Sequence, residues 1–335
     1  PPPGTARSMT PRDASGTAEP TAAPLGAAAA PRAPAASRRE PAWVTSEPQG
    51  PGEYLRRLAG FPLTAWRHRD LIGSSVRREL EARFSGTLLG WAWPLLYPVF
   101  MFTVYYFVFT KLLAMRFPEL PEQYEAAMGV YMFVGILSWT GFAEGMLRAG
   151  GVIVDNGNLI KKLSFPTELL PLNCVLVSTV TMLFGIAVFL LATPLVWVVP
   201  GWGLGLVPLL LLIQVLFAYG LGLLLATLQV FLRDTMQLVS LLTTVWMFIT
   251  PIFWVPSVKV LPDIGPFLPY LEINPLYHLV YAWRYALMSA QPEIAFQGPD
   301  HLWGSIGYVA AWAVGSFTVG HLFFQRSQRR FADEV

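Results

Sequence analysis

The chain has 335 residues, of which 54% are apolar and only 13% are charged, against about 25% charged residues in ordinary soluble domains. This composition excludes a typical soluble domain and indicates an integral membrane protein. The formal net charge of +2 is too small to favour binding to nucleic acid. A single cysteine, Cys174, excludes an internal disulfide and any cysteine-based metal site.

Residues 1–52 are rich in Pro, Ala, Gly, Ser and Thr. A segment of this composition buries too little apolar surface to offset its chain entropy, so we expect a disordered tail. We assign residues 53–86 to an amphipathic interface region and residues 87–335 to a transmembrane domain.

An amphipathic helix is predicted after Asp70, which is a suitable N-cap residue. Ile72, Val76, Leu80 and Phe84 recur every four residues, and charged residues take the other faces. The pattern is typical of a helix that lies in the membrane interface. The alternative is an amphipathic helix that packs on protein.

Apolar runs of about 20 residues, the length that crosses a bilayer, recur along the chain. Six spans are predicted, at residues 88–109, at 129–146, on either side of a turn at 200–203 within the uncharged stretch 169–232, at 236–254 and at 302–324. The expected fold is an all-α integral membrane protein with six transmembrane helices.

The flanking charges predict the orientation, because cytoplasmic loops carry an excess of Lys and Arg. Counted from Arg67, twelve such residues fall on one side of the predicted spans and four on the other. Both termini, the loop around residues 156–165 and the turn at Arg233 and Asp234 are therefore expected to be cytoplasmic.

Residues 256–300, between the fifth and sixth spans, are half apolar and contain a helical pattern too short to cross the membrane. A re-entrant pair of half-helices on the outer side fits this pattern, because irregular backbone at membrane depth needs cover from protein or from a water-filled cavity. A helix on the outer surface is the alternative.

Motifs for nucleotide or metal binding are absent from the sequence. No lysine follows a glycine, so there is no P-loop, and the four histidines are scattered without metal-ligand spacing. We expect no cofactor bound by this chain. Glu144 and Arg148 lie one helical turn apart in the second span and are predicted to form an internal pair.

Aromatic side chains follow one helical face of the first predicted span, and Thr and Trp residues approximate a face of the fifth. Flat apolar platforms with interspersed hydroxyls suit a pathway for a sugar polymer, whereas aromatic belts at the membrane surfaces are the simpler explanation. The predicted channel-lining residues are Trp93, Tyr97, Phe100, Phe107, Thr243, Trp246, Thr250 and Trp254.

A short amphipathic stretch, NGNLIKKLSFPTELLP at residues 156–171, lies between two long apolar spans. Pro166 and Pro171 limit any helix there to one or two turns. Such a stretch suits contact with another protein at the membrane surface, and an ordinary connecting loop is the alternative.

Four ordered blocks carry a resemblance to a known family: RRELEARFSGTLLGWAWPLLYP, WTGFAEGMLRAGGVIVDNGNLIKKLSFPTELLP, FLRDTMQLVSLLTTVWMFITPIFW and INPLYHLVYAWRYAL. From about residue 70 onwards the chain resembles the transmembrane permease subunit of polysaccharide-exporting ABC-2 transporters, the family of O-antigen, teichoic acid, capsule and galactan exporters. The resemblance implies a homodimer docked onto two ATPase subunits, which would bind ATP and Mg.

The same resemblance implies roles for three segments. Residues assigned to ATPase coupling are Asn158, Leu159, Ile160, Lys161, Lys162, Phe165, Arg233 and Asp234. The interface gate comprises Val76, Arg77, Arg78, Leu80, Arg83 and Phe84, whose arginines suit lipid phosphates, although the positive-inside rule alone would explain them. The outer gate comprises Tyr277, Tyr281 and Arg284.

The sequence therefore predicts a non-enzymatic permease in the cell membrane that moves a lipid-linked cell-envelope polysaccharide outward. A permease of the same family for a drug or a lipid is one alternative. A multi-span enzyme that handles glycans is another, and it would require a polar catalytic cluster in the outer loops.

Overall fold

The computed structural model describes residues 51–115, 127–157, 166–196, 198, 200–256, 262–290 and 299–334. Every regular element in these ranges is helical, so the predicted all-α class is confirmed for the described part of the chain. The helices are α1 (Pro51–Arg67), α2 (Arg69–Phe84), α3 (Trp93–Tyr105), α4 (Ala127–Asp155), α5 (Leu169–Val196), α6 (Val207–Phe231), α7 (Thr235–Ile249), α8 (Leu268–Leu271), α9 (Pro275–Met288) and α10 (Pro299–Glu334).

Five segments are long and apolar enough to cross a bilayer within the described ranges. They are Trp93–Leu112, which extends α3 by a π-helical stretch, Ala127–Asp155, Leu169–Leu195, Trp202–Phe231 and His301–Gln328. The apolar helix α7 has 15 residues and spans about 22 Å, which is less than the roughly 30 Å of a hydrocarbon core. The count of six crossings stays a prediction.

The centre of the bundle is formed by α4, α5, α6 and α10, with α6 packed along both α4 and α10. Gly220 on α6 and Gly320 on α10 face each other so closely that a Cβ on either would collide with backbone atoms of the other helix. Small residues at such contacts let membrane helices approach and gain dispersion energy, since lipid supplies no hydrophobic drive for their association.

The helices α3 and α7 lie at the edge of this bundle. Only 11% of the first span is buried, and α7 exposes a row of large apolar residues. That row consists of Leu238, Leu241, Leu242, Val245, Phe248 and Ile249. The single chain therefore leaves two apolar helix faces unpacked.

The helix α9 has the opposite environment, because all 14 of its residues except His278 are buried. It packs against α4, α6 and α10 and against the 3₁₀ turn Trp202–Leu206. The protein-covered position agrees with what a re-entrant helix needs, while a helix on an outer surface would keep one face exposed.

Candidate functional site

The interface helix α2 turns its apolar stripe towards the bundle. Leu80 is only 6% exposed, Ile72 packs against the core, and Val76 is half-buried. The side chain of Phe84 lies outside the described part of the chain. The stripe therefore contacts protein, as the second interpretation of the sequence expects, and the opposite face of α2 stays exposed.

The three arginines of α2 differ in their contacts. Arg77 donates from Nε to Glu81 Oε1 at 2.8 Å on the same exposed face, and Arg78 donates to Ser75 Oγ at 3.2 Å. Arg83 instead donates to Glu144 Oε1 on α4 at 2.5 Å. Arg77 and Arg83 thus each pair with a carboxylate, one within α2 and one on α4, whereas Arg78 bonds to a hydroxyl group. Arg77 and Arg78 lie on the exposed face of α2.

A cluster of charged and amide side chains joins α2 to α4 and α5, and we call it the interface cluster. Glu79 accepts from Arg148 on α4 and, at 2.8 Å, from Asn173 on α5. Arg148 also lies 3.8 Å from Glu144, so the predicted pair is present as one part of a larger network with Arg83. The sequence signal for this network was two segments in which a Glu is followed four residues later by an Arg, at residues 79 and 83 and at residues 144 and 148.

A polar pocket of about 320 Å³ lies behind this cluster. The Nη1 atom of Arg148 and the Oδ1 atom of Asn173 are buried without hydrogen-bond partners. Cys174, which is 5% exposed, lines the same pocket. The cluster therefore has unused hydrogen-bonding capacity and space in which side chains can rearrange.

The predicted coupling residues 158–162 and Phe165 lie outside the described residues. We call residues 158–165 the coupling segment. The chain that follows them is tied to the bundle, because Thr167 Oγ1 accepts from Gln328 at 2.9 Å and the carbonyl of Glu168 accepts from Tyr219 at 3.0 Å. Burial raises the pKa of the Glu168 carboxyl, and the nearby Arg57 and His68 oppose this shift.

The turn at Arg233 and Asp234 presents both side chains to the surroundings, and Asp234 makes no capping hydrogen bond to α7. Met236 packs against α4 beside Gly150, where a Cβ would lie 2.6 Å from its sulfur atom. The turn is therefore adjacent to the helix that leads into the coupling segment, and its two charges are free to meet a partner.

The helix α1 was not predicted as an element, although it lies within the predicted interface region. Gly60 and Pro62 in its middle are poor helix residues and hid the pattern. Phe61 anchors it, with its ring centroid 5.3 Å from that of Tyr219, 5.6 Å from Phe317 and 5.2 Å from His321. Tertiary aromatic packing holds this helix where local propensity disfavours it.

The aromatic residues predicted to line a channel from the first span lie on an exposed face of α3 and its continuation. Trp93, Tyr97, Phe100 and Phe107 are each between 40% and 61% exposed. Beside them, a groove of about 500 Å³ opens between α3, α4 and α5, and Glu144 and Arg148 form part of its lining. The face is accessible in the single protomer.

The corresponding residues of the fifth span lie inside the protomer. Thr243 and Thr250 are buried and donate to carbonyls of their own helix, while Trp246 donates to Asn274 Oδ1 at 2.8 Å. Trp254 is half-buried. The threonines therefore present no surface to a channel between protomers, and the exposed face of α7 is aliphatic instead.

The helix break after α7, residues 250–256, is held by Arg284 of α9. Its guanidinium donates to the carbonyls of Pro251 at 2.7 Å, Ile252 at 2.9 Å and Tyr131 at 3.3 Å, and it lies 3.3 Å from the centroid of the Tyr131 ring. The bonds to Pro251 and Ile252 satisfy carbonyls that a broken helix leaves without internal partners, while the carbonyl of Tyr131 belongs to α4. Sequence reasoning assigned Arg284 to an outer gate but could not foresee that its partners are backbone atoms.

The start of α9 is tied to the same break. Asn274 caps α9 by accepting from Leu276 N at 3.0 Å, and its amide donates to Thr250 Oγ1 at 2.9 Å. Tyr277 and Tyr281, the other predicted outer-gate residues, are buried in the bundle next to Arg284 on the same helix. The three predicted residues are thus brought together on one buried helix.

No group of three or more His, Cys, Asp or Glu side chains within the described ranges could hold a metal ion. Within the same ranges the arrangement offers contact surfaces, a groove and a tied helix break.

Comparison with known proteins places this architecture in a family. Residues 70–288 match the family model described as "ABC-2 type transporter". Over 282 residues the chain is 28% identical to the O-antigen export system permease protein RfbA of Myxococcus xanthus, an alignment that covers 81% of this chain and 97% of that protein. Two proteins of the same name from Klebsiella pneumoniae are 27% and 24% identical over 271 residues, covering 79% of this chain and 94% of each relative. The chain belongs to the ABC-2 type transporter family, whose membrane proteins work with a separate ABC ATPase.

Proposed function

We propose that this chain is the membrane subunit of an ATP-driven exporter that moves a lipid-linked cell-envelope polysaccharide from the cytoplasm outward. The observation that carries the proposal is the alignment of about four fifths of the chain with three permeases named for O-antigen export. In this role the chain is a permease and not an enzyme.

The proposed assembly is a homodimer in the inner or plasma membrane, with six crossings per protomer and both termini in the cytoplasm. The unpacked faces of α3 and α7 support the dimer, because large apolar side chains are exposed there in a single protomer. ATP and Mg bind to the partner ATPase, and this chain binds no cofactor and no nucleic acid.

The deciding experiment is reconstitution of the permease with its ATPase in vesicles. We expect ATP hydrolysis to rise with a lipid-linked glycan and to stay at the basal rate with the same lipid carrier without glycan. A response to the bare lipid or to a drug, with none to the glycan, would favour the other kind of ABC-2 permease. Cleavage or extension of the glycan by the chain alone would favour an enzyme.

The export path is proposed to include the exposed aromatic face of α3. The variant Tyr97→Ala with Phe100→Ala should lower glycan export several-fold while leaving thermal unfolding unchanged, because both side chains are more than half exposed. The double variant Leu191→Ala with Leu195→Ala, at exposed apolar positions of α5, is the matched control. Export equal to wild type in the aromatic variant removes this face from the path.

The entry step is proposed to use Arg77 and Arg78, whose planar guanidinium groups suit phosphate oxygens. Replacing both by Gln should leave insertion intact and raise the lipid-linked glycan concentration needed to stimulate the ATPase. A stimulation curve that overlays the wild-type curve would leave these arginines with a topological role alone.

The coupling segment supplies a separate test of the ATPase contact. In the proposed assembly the apolar face of this segment is buried in a groove of the ATPase, and deleting a large buried side chain costs about 2 to 5 kcal/mol. Leu159→Ala with Phe165→Ala should therefore weaken assembly with the ATPase or uncouple hydrolysis from export. Normal co-purification together with normal export would make this stretch an ordinary loop.

A further inference from the structure

The interface cluster connects α2 to both helices that flank the coupling segment. Glu79 reaches Arg148 on α4 and Asn173 on α5, and Arg83, one turn further along α2, reaches Glu144 on α4. Two side chains of α2 therefore bond to three side chains on two other helices.

The attachment points lie close to the ends that a partner ATPase would move. Arg148 is about 10 Å from the end of α4 at Asp155, and Asn173 is about 6 Å from the start of α5 at Leu169, at 1.5 Å of helix per residue. Helix runs from Arg148 to the end of α4 and from the start of α5 to Asn173, and residues 166–168 form a turn before α5. A displacement of either helix end therefore reaches the cluster through helix.

These ion pairs are strong enough to make α2 follow a movement of α4 and α5, and weak enough to exchange partners. The two carboxylates and two guanidinium groups balance in charge, and their side chains are 25% to 37% exposed. Partial burial weakens solvent screening without imposing the full cost of desolvation. Arg148 Nη1 and Asn173 Oδ1 make no hydrogen bond, and both residues line the adjoining pocket. Their side chains can therefore form other pairings there.

The other charges of α2 do not provide such a link. Arg77 pairs with Glu81 on its own helix, and Arg78 bonds to Ser75 on its own helix. The interface cluster is thus specific in joining the amphipathic helix to the bundle.

We infer that Glu79, Arg83, Glu144, Arg148 and Asn173 are positioning residues that transmit movement of the coupling segment to α2. The inference rests on the proposed function for the existence of an ATPase-driven cycle. It adds the physical connection between the ATPase contact and the gate helix.

Charge exchange at one pair provides the critical variants. Arg83→Glu alone places three carboxylates against Arg148, and Glu144→Arg alone places three guanidinium groups against Glu79. The double variant Arg83→Glu with Glu144→Arg makes the α2 side wholly acidic and the α4 side wholly basic, so attraction across the interface returns. A structural disturbance unrelated to charge would not be rescued in this way.

The first measurement uses Cys174, the one cysteine of the sequence, as a reporter of contact in the isolated full-length permease. A membrane-permeant maleimide should label Cys174 slowly in the wild type, on the order of tenfold faster in each single variant, and slowly again in the double variant. Arg69→Glu, at an exposed position of α2, is the control and should label at the wild-type rate. Equal labelling of all variants would overturn the attachment.

The second measurement tests transmission in the permease–ATPase complex and needs no polysaccharide. Spin labels are placed at the exposed positions of Asp70 on α2 and Leu191 on α5, in a Cys174→Ala background. Trapping the complex with ATP and vanadate should shift the distance between the labels in the wild-type cluster. The shift should vanish in both single variants and return in the double variant.

A shift that persists in the single variants, or one that is missing in the wild-type cluster, overturns the inference. So does a double variant that regains the protection of Cys174 without regaining the shift. Glycan export is measured separately on the wild type. A complex that shows the shift but exports no glycan contradicts the proposed substrate and leaves the link standing.

Discussion

Two polar regions hold this bundle together in opposite ways. At the helix break, Arg284 is 3% exposed and its hydrogen bonds go to backbone carbonyls. In the interface cluster, Glu79 and Arg148 are about a quarter to a third exposed and bond to other side chains. The first region is dry with partners that cannot move independently, and the second is partly solvated with partners that can exchange.

The two kinds of contact differ in the free energy that is needed to break them. Removing the donor from buried carbonyls costs the desolvation penalty of each carbonyl, because no water replaces it. Separating two ions that are a quarter to a third exposed costs less, since water can reach both. We therefore expect the helix break to act as a fixed part of the fold and the interface cluster to act as a movable contact.

The largest expected effect comes from Arg284→Met, which keeps the length of the side chain and removes every donor. Three buried carbonyls lose a charged partner, and the free energy of unfolding should fall on the order of 3 kcal/mol. Thermal unfolding in detergent measures this change. Arg284→Lys, which keeps the charge without the planar fork, should lie between Met and wild type, and an unfolding temperature for Met equal to wild type would contradict a fixed helix break.

Two glycines on α4 test whether the Arg284 guanidinium needs the space beside that helix. A Cβ at Gly135 would lie 2.6 Å from Arg284 Nη2 and 3.3 Å from the carbonyl oxygen of Ile252. Gly135→Ala should therefore cost about 1 to 3 kcal/mol by displacing the guanidinium.

The matched variant is Gly151→Ala on the same helix, where the nearest atom is Asp155 Oδ2 at 3.4 Å. Removing a glycine from an uncrowded helix position should stabilise the chain by up to about 1 kcal/mol. Opposite signs in the two unfolding curves are the expected outcome, and equal shifts would show that Arg284 needs no space beside Gly135.

Neutralising the interface cluster should cost less. Glu79→Gln keeps an acceptor for Asn173 and removes one charge from a partly exposed pair, so the free energy of unfolding should fall by about 1 kcal/mol or less. Chemical or thermal unfolding beside Arg284→Met tests the contrast directly. A loss as large as that of Arg284→Met would show that the interface cluster is as fixed as the helix break.

The smallest effect concerns Glu168, which follows the coupling segment. Burial raises its pKa in the folded chain above the unfolded value, so its contribution to stability is fully present at low pH and is lost as the pH rises through the folded pKa. Stability of the wild type should therefore decline relative to Glu168→Gln as the pH increases above the ordinary carboxyl range. Parallel unfolding curves for the two proteins across pH 4 to 8 would show that Glu168 ionises as freely as in the unfolded chain.

The membrane-embedded helical class and the approximate places of the long spans could be predicted from the residues alone. The uncharged stretch 169–232 divides into Leu169–Val196 and Trp202–Phe231 at the predicted turn. Span length is a local property, because about 20 apolar residues at 1.5 Å each match the hydrocarbon thickness. The pair of Glu144 and Arg148 was equally visible, since residues four apart meet on one helix.

Which face of each helix is covered could not be predicted and depends on how the helices pack. Thr250 and Phe100 both belong to predicted channel faces, yet one is wholly buried and the other is 61% exposed. Inside a membrane both sides of a helix are apolar, so hydrophobic periodicity no longer separates the packed face from the lipid-facing one. The same reason explains α1 and Arg284: the rings around Phe61 and the carbonyls of a broken helix come from elements far apart in the chain, and no local pattern encodes their meeting.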